Sequence, residues 1–538
     1  MYRAKKYLKR IDVKRISAVS AMALTTACAT VDRETLDAKL PEAPSAWTSD
    51  ESVSEMPSGD WVAAFDDPAL RDLISEALYE NNSLLAAAAT LEQARQSSKA
   101  ARAALLPTLN TSFNASRNAI VTDPTFAAQA GGGGDALGDL RFQDIEDMFG
   151  VDVDGDGDLD GVDTDGDGIL EDLPNRRLYI NNYSLGARIS WEIDLWGRLR
   201  DESRAAYEDA KAAYADLAGA ELSIAARVAQ AWFALIEARQ QRELAERDVV
   251  ARERNLRVTD RRYERGVASS LDVRLSRSAL GTSQASLALR QRLELEAARA
   301  LEVLLGRYPS AELEAAASLP ELPELDGAGA PGDILSRRPD LVAAEARMEA
   351  SGLRARAARK QLLPQLTLNP QINTSGPDVK DLIDPERLAG ALAGGILQPV
   401  FQGGRIIANS KRARAVAQSS LYNYVETVLG AYEEAENAIA AETLLATRET
   451  ALRLAFEEAA AAEVLTERRY ASGAATIFNL LDAQTRRISS ESQYIQAQQQ
   501  RVSNRVQLYL AIGGDFLTED RIAVLSDQTA MLTAQTGE

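Results

Sequence analysis

The chain has 538 residues, with 80 acidic against 60 basic side chains, a net charge of −20, one cysteine and no histidine. The acidic excess argues against nucleic acid as a partner. Without imidazole there is no histidine general base and no His-ligated zinc, copper or haem iron, and a single cysteine rules out intrachain disulfides and thiolate clusters.

The N-terminus carries a basic stretch (Arg3, Lys5, Lys6, Lys9, Arg10, Lys14, Arg15), then a short apolar run from Ile16 to Ala27 that ends in small residues. This reads as a secretory signal over 1–27, too short to be a membrane span. Cys28, directly after Leu-Thr-Thr-Ala, resembles a bacterial lipoprotein cleavage site, although Thr25 stands where a leucine is usual and Leu24 comes one step early. Residues 28–65 are then a lipidated extension, and Ala29 in second place fits an outer-membrane destination.

From residue 66 the chain contains itself twice. Residues 83–109 align without gaps on 340–366, at an offset of 257, with 12 of 27 positions identical and a shared closing Leu-Leu-Pro. Further on, "RRYERGVASSLDV" (261–273) matches "RRYASGAATIFNL" (468–480) at an offset of 207. The offsets differ by 50 residues, which must lie in the first copy between Pro107 and Gly197.

Each copy begins with an Ala/Arg/Glu-rich helix that Pro107 or Pro364 ends. The period then switches to two, which predicts strands at about 108–117 and 183–195 in the first copy and about 365–374 and 388–400 in the second. Long helical runs follow, 198–305 and 405–512, each reversed at a glycine (Gly266, Gly473). At 1.5 Å per residue, a run of some 65 residues reaches about 100 Å. The repeats span 66–310 and 333–516, joined by a linker at 311–332 and followed by a tail at 517–538. Nothing after Cys28 approaches 18 consecutive apolar residues, so any membrane crossing must use the strands. Four strands leave open edges that a bilayer does not tolerate, and oligomeric closure is required.

The 50 extra residues contain "VDVDGDGDLDGVDTDGDGILEDLPN" (151–175), where Asp152, Asp154, Asp156, Asp160 and Asp163, then Asp165, Asp167 and Glu171, recur with an 11-residue period. Hard oxygen ligands at alternate positions with a turn glycine suit Ca²⁺. The pattern resembles thrombospondin type 3 and EF-like repeats, but position 12 is Asp163 in one unit and Pro174 in the other, not the bidentate glutamate. The Gly-rich stretch just upstream (129–140) favours instead a solvated acidic loop.

The segments "EIDLWGRLR" (192–200), "RYERGVASSLDV", "RRPDL" (337–341), "QPVFQGGR" (398–405) and "RRYASGAATIFNLLDAQ" (468–484), with the duplication, resemble TolC-type outer-membrane efflux channels, most closely the lipoprotein branch serving RND-type drug pumps. That resemblance implies a mostly α fold with a β-barrel portion: a homotrimer whose protomers each give four strands to one transmembrane barrel and paired long helices to a periplasmic coiled-coil tunnel. It implies a passive conduit, not an enzyme, that requires no cofactor and works with a periplasmic membrane-fusion adaptor and an inner-membrane pump. Calcium in the insert, at the cell surface, is the one candidate ligand. By the same resemblance the periplasmic gate falls at Asp482 and Asn479, the latter replacing an acidic residue, and a constraining link joins Asp272 to Tyr470, with Ala475 in place of its arginine. For Asp272 and Asp482 the alternative is a helix N-terminal charge near a turn. Two rival readings remain: a type I secretion or metal-efflux conduit, and a calcium-binding surface structural protein.

Overall fold

Why the two copies fold alike is visible in how their helices end. A computed structural model describes residues 40, 44–49, 61–122, 176–322 and 329–514, which form two compact units. Cys28 and the acidic run from Asp152 to Glu171 lie outside the described residues.

The helical unit holds α1 (Pro68–Glu80), α2 (Asn82–Ala103), α3 (Arg198–Glu264), α4 (Ser270–Leu304), α5 (Pro339–Lys360), α6 (Arg405–Ala471) and α7 (Ile477–Ala511). No helix among the described residues is long and apolar enough to cross a membrane. The long elements match to the residue: α3 and α6 have 67 residues each, α4 and α7 have 35 each. α3 stops where Gly266 takes φ +75°, with the N–H of Val267 returning to the carbonyl of Arg262 at 2.8 Å. α6 stops the same way at Gly473 (φ +83°), Ala474 N–H donating to Arg469 at 2.8 Å. This is the left-handed glycine cap that satisfies the last carbonyls of a helix.

The far ends of α4 and α7 are closed by equivalent positions with different chemistry. Asn81 donates its side-chain amide to the Leu304 carbonyl at 2.7 Å, and Arg338 donates to the Ala511 carbonyl at 3.2 Å. Arg338 is held by Asp340 and Glu434, both at 2.8 Å, and these carboxylates, outweighing the opposing effect of burial, raise its pKa further.

The core gathers around the middle of α3. Leu70, Phe65, Phe233, Ile236, Val428 and Val506 are buried together, with the Phe65 and Phe233 rings 5.2 Å apart. Alanines carry the contact of α3 with α5 (Ala212 and Ala215 against Ala343 and Ala346), which lets the two backbones approach closely. Pairs of opposite charge flank it: Lys360 with Asp201 at 2.6 Å, Arg354 with Asp209, and Arg347 with Asp216.

The strand unit is one antiparallel sheet in the order β1 (Thr108–Thr122), β2 (Arg176–Ile193), β3 (Gln365–Gly376), β4 (Ala389–Leu397). β1 and β2 pair from Thr108↔Ser190 to Thr122↔Arg176, so both run further than their apolar alternation suggests. The added length follows polar pairs (Ser116↔Asn182, Arg117↔Asn181) and then runs apolar on consecutive residues (Ala119, Ile120 and Val121 opposite Tyr179, Leu178 and Arg177), so the alternation that marks the rest of the strands is lost there. β4 ends before Pro399, which has no N–H for a ladder. Register puts Leu109, Phe113, Leu185, Ile189, Ile372, Leu392 and Ile396 on one face, all of them exposed. Asn110, Ser112, Arg188 and Gln371 occupy the other, where Arg188 donates to the Gln371 amide oxygen at 2.9 Å.

Candidate functional site

The expected gate residues lie around the two glycine turns of the helical unit. Asp272 and Asn479 occupy the third position of α4 and α7, one repeat offset apart, and both are cap residues. The Asp272 carboxylate accepts from the Ser269 N–H at 2.8 Å while Ser269 Oγ accepts from the Asp272 N–H at 3.2 Å. Asn479 reproduces the arrangement with Thr476, its Oδ1 accepting from the Thr476 N–H at 3.2 Å. An amide oxygen caps as well as a carboxylate oxygen, so the loss of the acid costs the helix start little. Asp482 is exposed and pairs with Arg486 at 2.9 Å, one turn along α7.

The structure does not give Tyr470 the expected partner. With its carboxylate engaged at Ser269, Asp272 is not bonded to Tyr470. The tyrosine, buried at 8% exposure in the last turn of α6, points its hydroxyl at Thr259 of α3, 3.2 Å away. Arg262 supplies a cation over the ring at 4.7 Å from its centroid and donates to the Tyr470 carbonyl at 3.1 Å. Ser276 of α4 completes the knot by donating to Thr259 Oγ1 at 3.4 Å.

This knot is the end of a polar seam between α3 and α7 that sequence reasoning missed. Asn255 donates to Gln484 at 2.8 Å, Arg252 to Thr485 at 3.3 Å, and Gln241 to the Ser492 carbonyl at 3.0 Å. Arg252 is also held by Asp248 at 3.0 Å, and Glu491 pairs with Arg247 at 2.6 Å. Thr259, Asn255, Arg252, Gln241 and Gln484 are all buried. Buried polar groups cost free energy unless bonded, and here each meets its complement across the interface. The seam therefore closes only in one register.

The profile of the family described as outer membrane efflux protein matches residues 73–134, 151–307 and 330–514. The chain belongs to that family. Among its relatives is the pyoverdine export outer membrane protein OpmQ of Pseudomonas aeruginosa, 28% identical over 517 residues that cover 95% of this chain and 98% of the relative. Another is the toluene efflux pump outer membrane protein TtgF of Pseudomonas putida, 26% identical over 89% of this chain and 93% of the relative. The fold is that of the solved outer-membrane channel OprN, with TM-score 0.73, 24% identity, and coverage of 88% of this chain and 98% of that one. The open-state MtrE channel of Neisseria gonorrhoeae matches at TM-score 0.69 and 26% identity, over 88% and 98% of the two chains. This outer membrane efflux protein is accordingly a channel component of an efflux system, mostly helical with a β-barrel portion and reaching into the periplasm.

Proposed function

We propose that the protein works as a homotrimer, a passive conduit that takes small molecules from an inner-membrane RND-type pump through a membrane-fusion adaptor to the outside. The observation that carries this reading is the four-stranded sheet. It has an exposed apolar face and two edge strands, β1 and β4, that no described strand pairs. Hydrocarbon tolerates such a face but not open backbone edges, and joining the β4 edge of one protomer to the β1 edge of the next removes them. The periplasmic gate lies in this reading at the glycine turns, with Asp482 in its ring, and Cys28 is the lipid attachment site. The solute is set by the pump; the relatives' names include both pyoverdine export and a toluene efflux pump, so one conduit of this kind suits solutes of different chemistry. Protein purified from outer membranes in mild detergent should run as a heat-modifiable trimer and open discrete conductances in planar bilayers. A monodisperse monomer with no conductance would sink the proposal.

A further inference from the structure

The connection between β3 and β4 folds onto one face of the sheet, and the strand register shows which. Residues 377–388 make two short 3-10 turns, Val379–Ile383 and Pro385–Arg387. Aspartates close both: Asp381 accepts from the Asp378 N–H at 3.0 Å, and Asp384 from the Glu386 N–H at 3.0 Å. The first turn rests on the end of β3. Thr374 donates its hydroxyl to the Asp381 carbonyl at 3.1 Å, and the Asp381 side chain fills the place where a Cβ of Gly376 would stand. Thr374 and Asp381 are buried there. Thr374 pairs with Leu185 and Gly376 with Tyr183, so both lie on the apolar face with Ile372, Leu109 and Phe113. Asn373 and Ser375, on the polar face that a barrel turns to its lumen, are left exposed.

The turn sits at one end of the apolar band. On β2 that face reads Ile193, Trp191, Ile189, Ala187, Leu185 and Tyr183, and then polar Asn181. Ten residues at about 3.3 Å each, tilted by about 40°, span roughly 25 Å, the height of the apolar belt of an outer-membrane barrel. Tyrosines mark the end where the turn lies: Tyr183 is level with Gly376, and the Arg117 guanidinium stands 4.5 Å from the centre of the Tyr179 ring. At the other end Trp191 donates its indole N–H to the Leu105 carbonyl at 3.1 Å. Rings with a polar tip settle at the two boundaries between lipid and water. At this level the connection presents apolar side chains outward: Ile383 is 83% exposed, and Val379 and Leu388 are more than half exposed. Its charges face one another, Lys380 with Asp378 at 3.2 Å, and Arg387 with Asp381 and Asp384 at 3.8 and 3.7 Å.

We propose that residues 377–388 are a membrane-interface anchor: Ile383 and Val379 enter the acyl boundary of the outer leaflet, and the seat of Asp381 on the sheet fixes how deep the barrel lies. Connectivity gives the leaflet. β2 leads into α3 from Ile193 and β3 is entered from α5 at Gln365, so Gly376 is at the end of the sheet away from the helices. Lipid is the occupant because the exposed side chains continue the apolar face that the barrel turns to hydrocarbon. The first turn rests on β2 and β3, the two inner strands, so a neighbour joining at the β1 or β4 edge leaves it open. The same placement keeps this connection out of the lumen. The proposal rests on the barrel reading for which face meets lipid, and adds the element that sets depth.

The test places one fluorophore in the full-length Cys28→Ser protein, through Ile383→Cys, through Leu392→Cys on the lipid face, or through Asn373→Cys on the lumen face. Each protein is reconstituted in phosphatidylcholine vesicles. Quenching by nitroxides carried high or deep in the acyl chain reports lipid, and quenching by iodide reports water. At Ile383 the high nitroxide should quench several-fold more than the deep one, and iodide several-fold less than at Asn373. Leu392, opposite Pro370 in mid-strand, should respond more to the deep nitroxide. Gly376→Val puts a side chain where Asp381 lies and should return the Ile383 label to iodide, while Leu392 keeps its response. Iodide access at Ile383 equal to that at Asn373 overturns the proposal. So does shielding from both probes, which would place the segment against protein. Lipid contact that survives Gly376→Val also overturns it, since the seat on the sheet would not be what sets the depth. Conductance of the labelled proteins in planar bilayers tests the channel reading separately: an open channel with a wet Ile383 sinks the anchor alone.

Discussion

Two stretches of α3, only a few turns apart, are held by opposite chemistries. Around Phe233 the helix sits in an apolar core, packed against Phe65, Leu70 and Val506. From Gln241 to Thr259 it meets its neighbours through bonded polar side chains. Apolar packing is non-directional and strong; hydrogen bonds across a seam contribute little net free energy but fix one register and are costly to leave half-made. The core therefore anchors the hairpins, and the seam specifies how they lie against each other.

The largest expected effect tests the anchor. Phe233→Ala opens a cavity beneath the Phe65 ring and should cost about 3–5 kcal/mol, read as a lower midpoint of helical unfolding by circular dichroism. A loss under about 1 kcal/mol would mean that the site collapses and the core is not the anchor. The seam is tested by Asn255→Leu, which leaves the buried Gln484 amide oxygen without its donor, at about 1–3 kcal/mol. Adding Gln484→Leu should recover part of that loss; strictly additive losses would show that the two side chains do not act as a pair.

The smallest effect concerns a polar exception beside the core. Glu302 is 2% exposed, yet its pKa is lowered: burial pushes the carboxyl up, and N–H donors from Ala311, Glu312 and Leu313 with the Ser310 hydroxyl more than offset it. A depressed folded pKa contributes stability above the ordinary value of 4.5, and that stability drains away as the pH falls below it. Acid should loosen the start of the linker, seen as smaller amide protection factors at 311–313 below that pH once the intrinsic slowing of exchange is divided out, and Glu302→Gln should flatten this dependence. An unchanged pH profile in the variant would assign the acid response to another group.

Much of the frame was legible in the sequence because duplication supplies an internal alignment. The strand periods, the glycine reversals and the constancy of the 207 offset from Gly197 to Gly513 all follow from comparing one copy with the other. The seam was not legible. Gln241, Asp248, Arg252, Asn255 and Thr259 recur at helical spacing and read as a solvated face, since hydropathy cannot distinguish a buried bonded amide from a wet one. The matching amides and acids of α7, Gln484 and Glu491 seven residues apart, were the available signal. The capping role of Asn479 was legible too: Ser-x-x-Asp at 269–272 and Thr-x-x-Asn at 476–479 have the spacing of a capping box. Tyr470 was assigned a partner by resemblance, and only the side-chain geometry shows that Thr259 and Arg262 hold it.

The equal lengths of the hairpins restrict how this chain can be edited. Deleting one residue from α3 turns everything beyond it by about 100°, which would swing Asn255 and Thr259 out of the seam and put Leu256 and Asp260 in their places. Removing seven leaves the faces within about 20° of their old bearings but shortens one hairpin by some 10 Å against its twin. Viable changes of length must therefore come as whole heptads, cut from all four long helices together. Strand loops obey no such rule, and it is between two strands that the first copy carries most of its 50 additional residues.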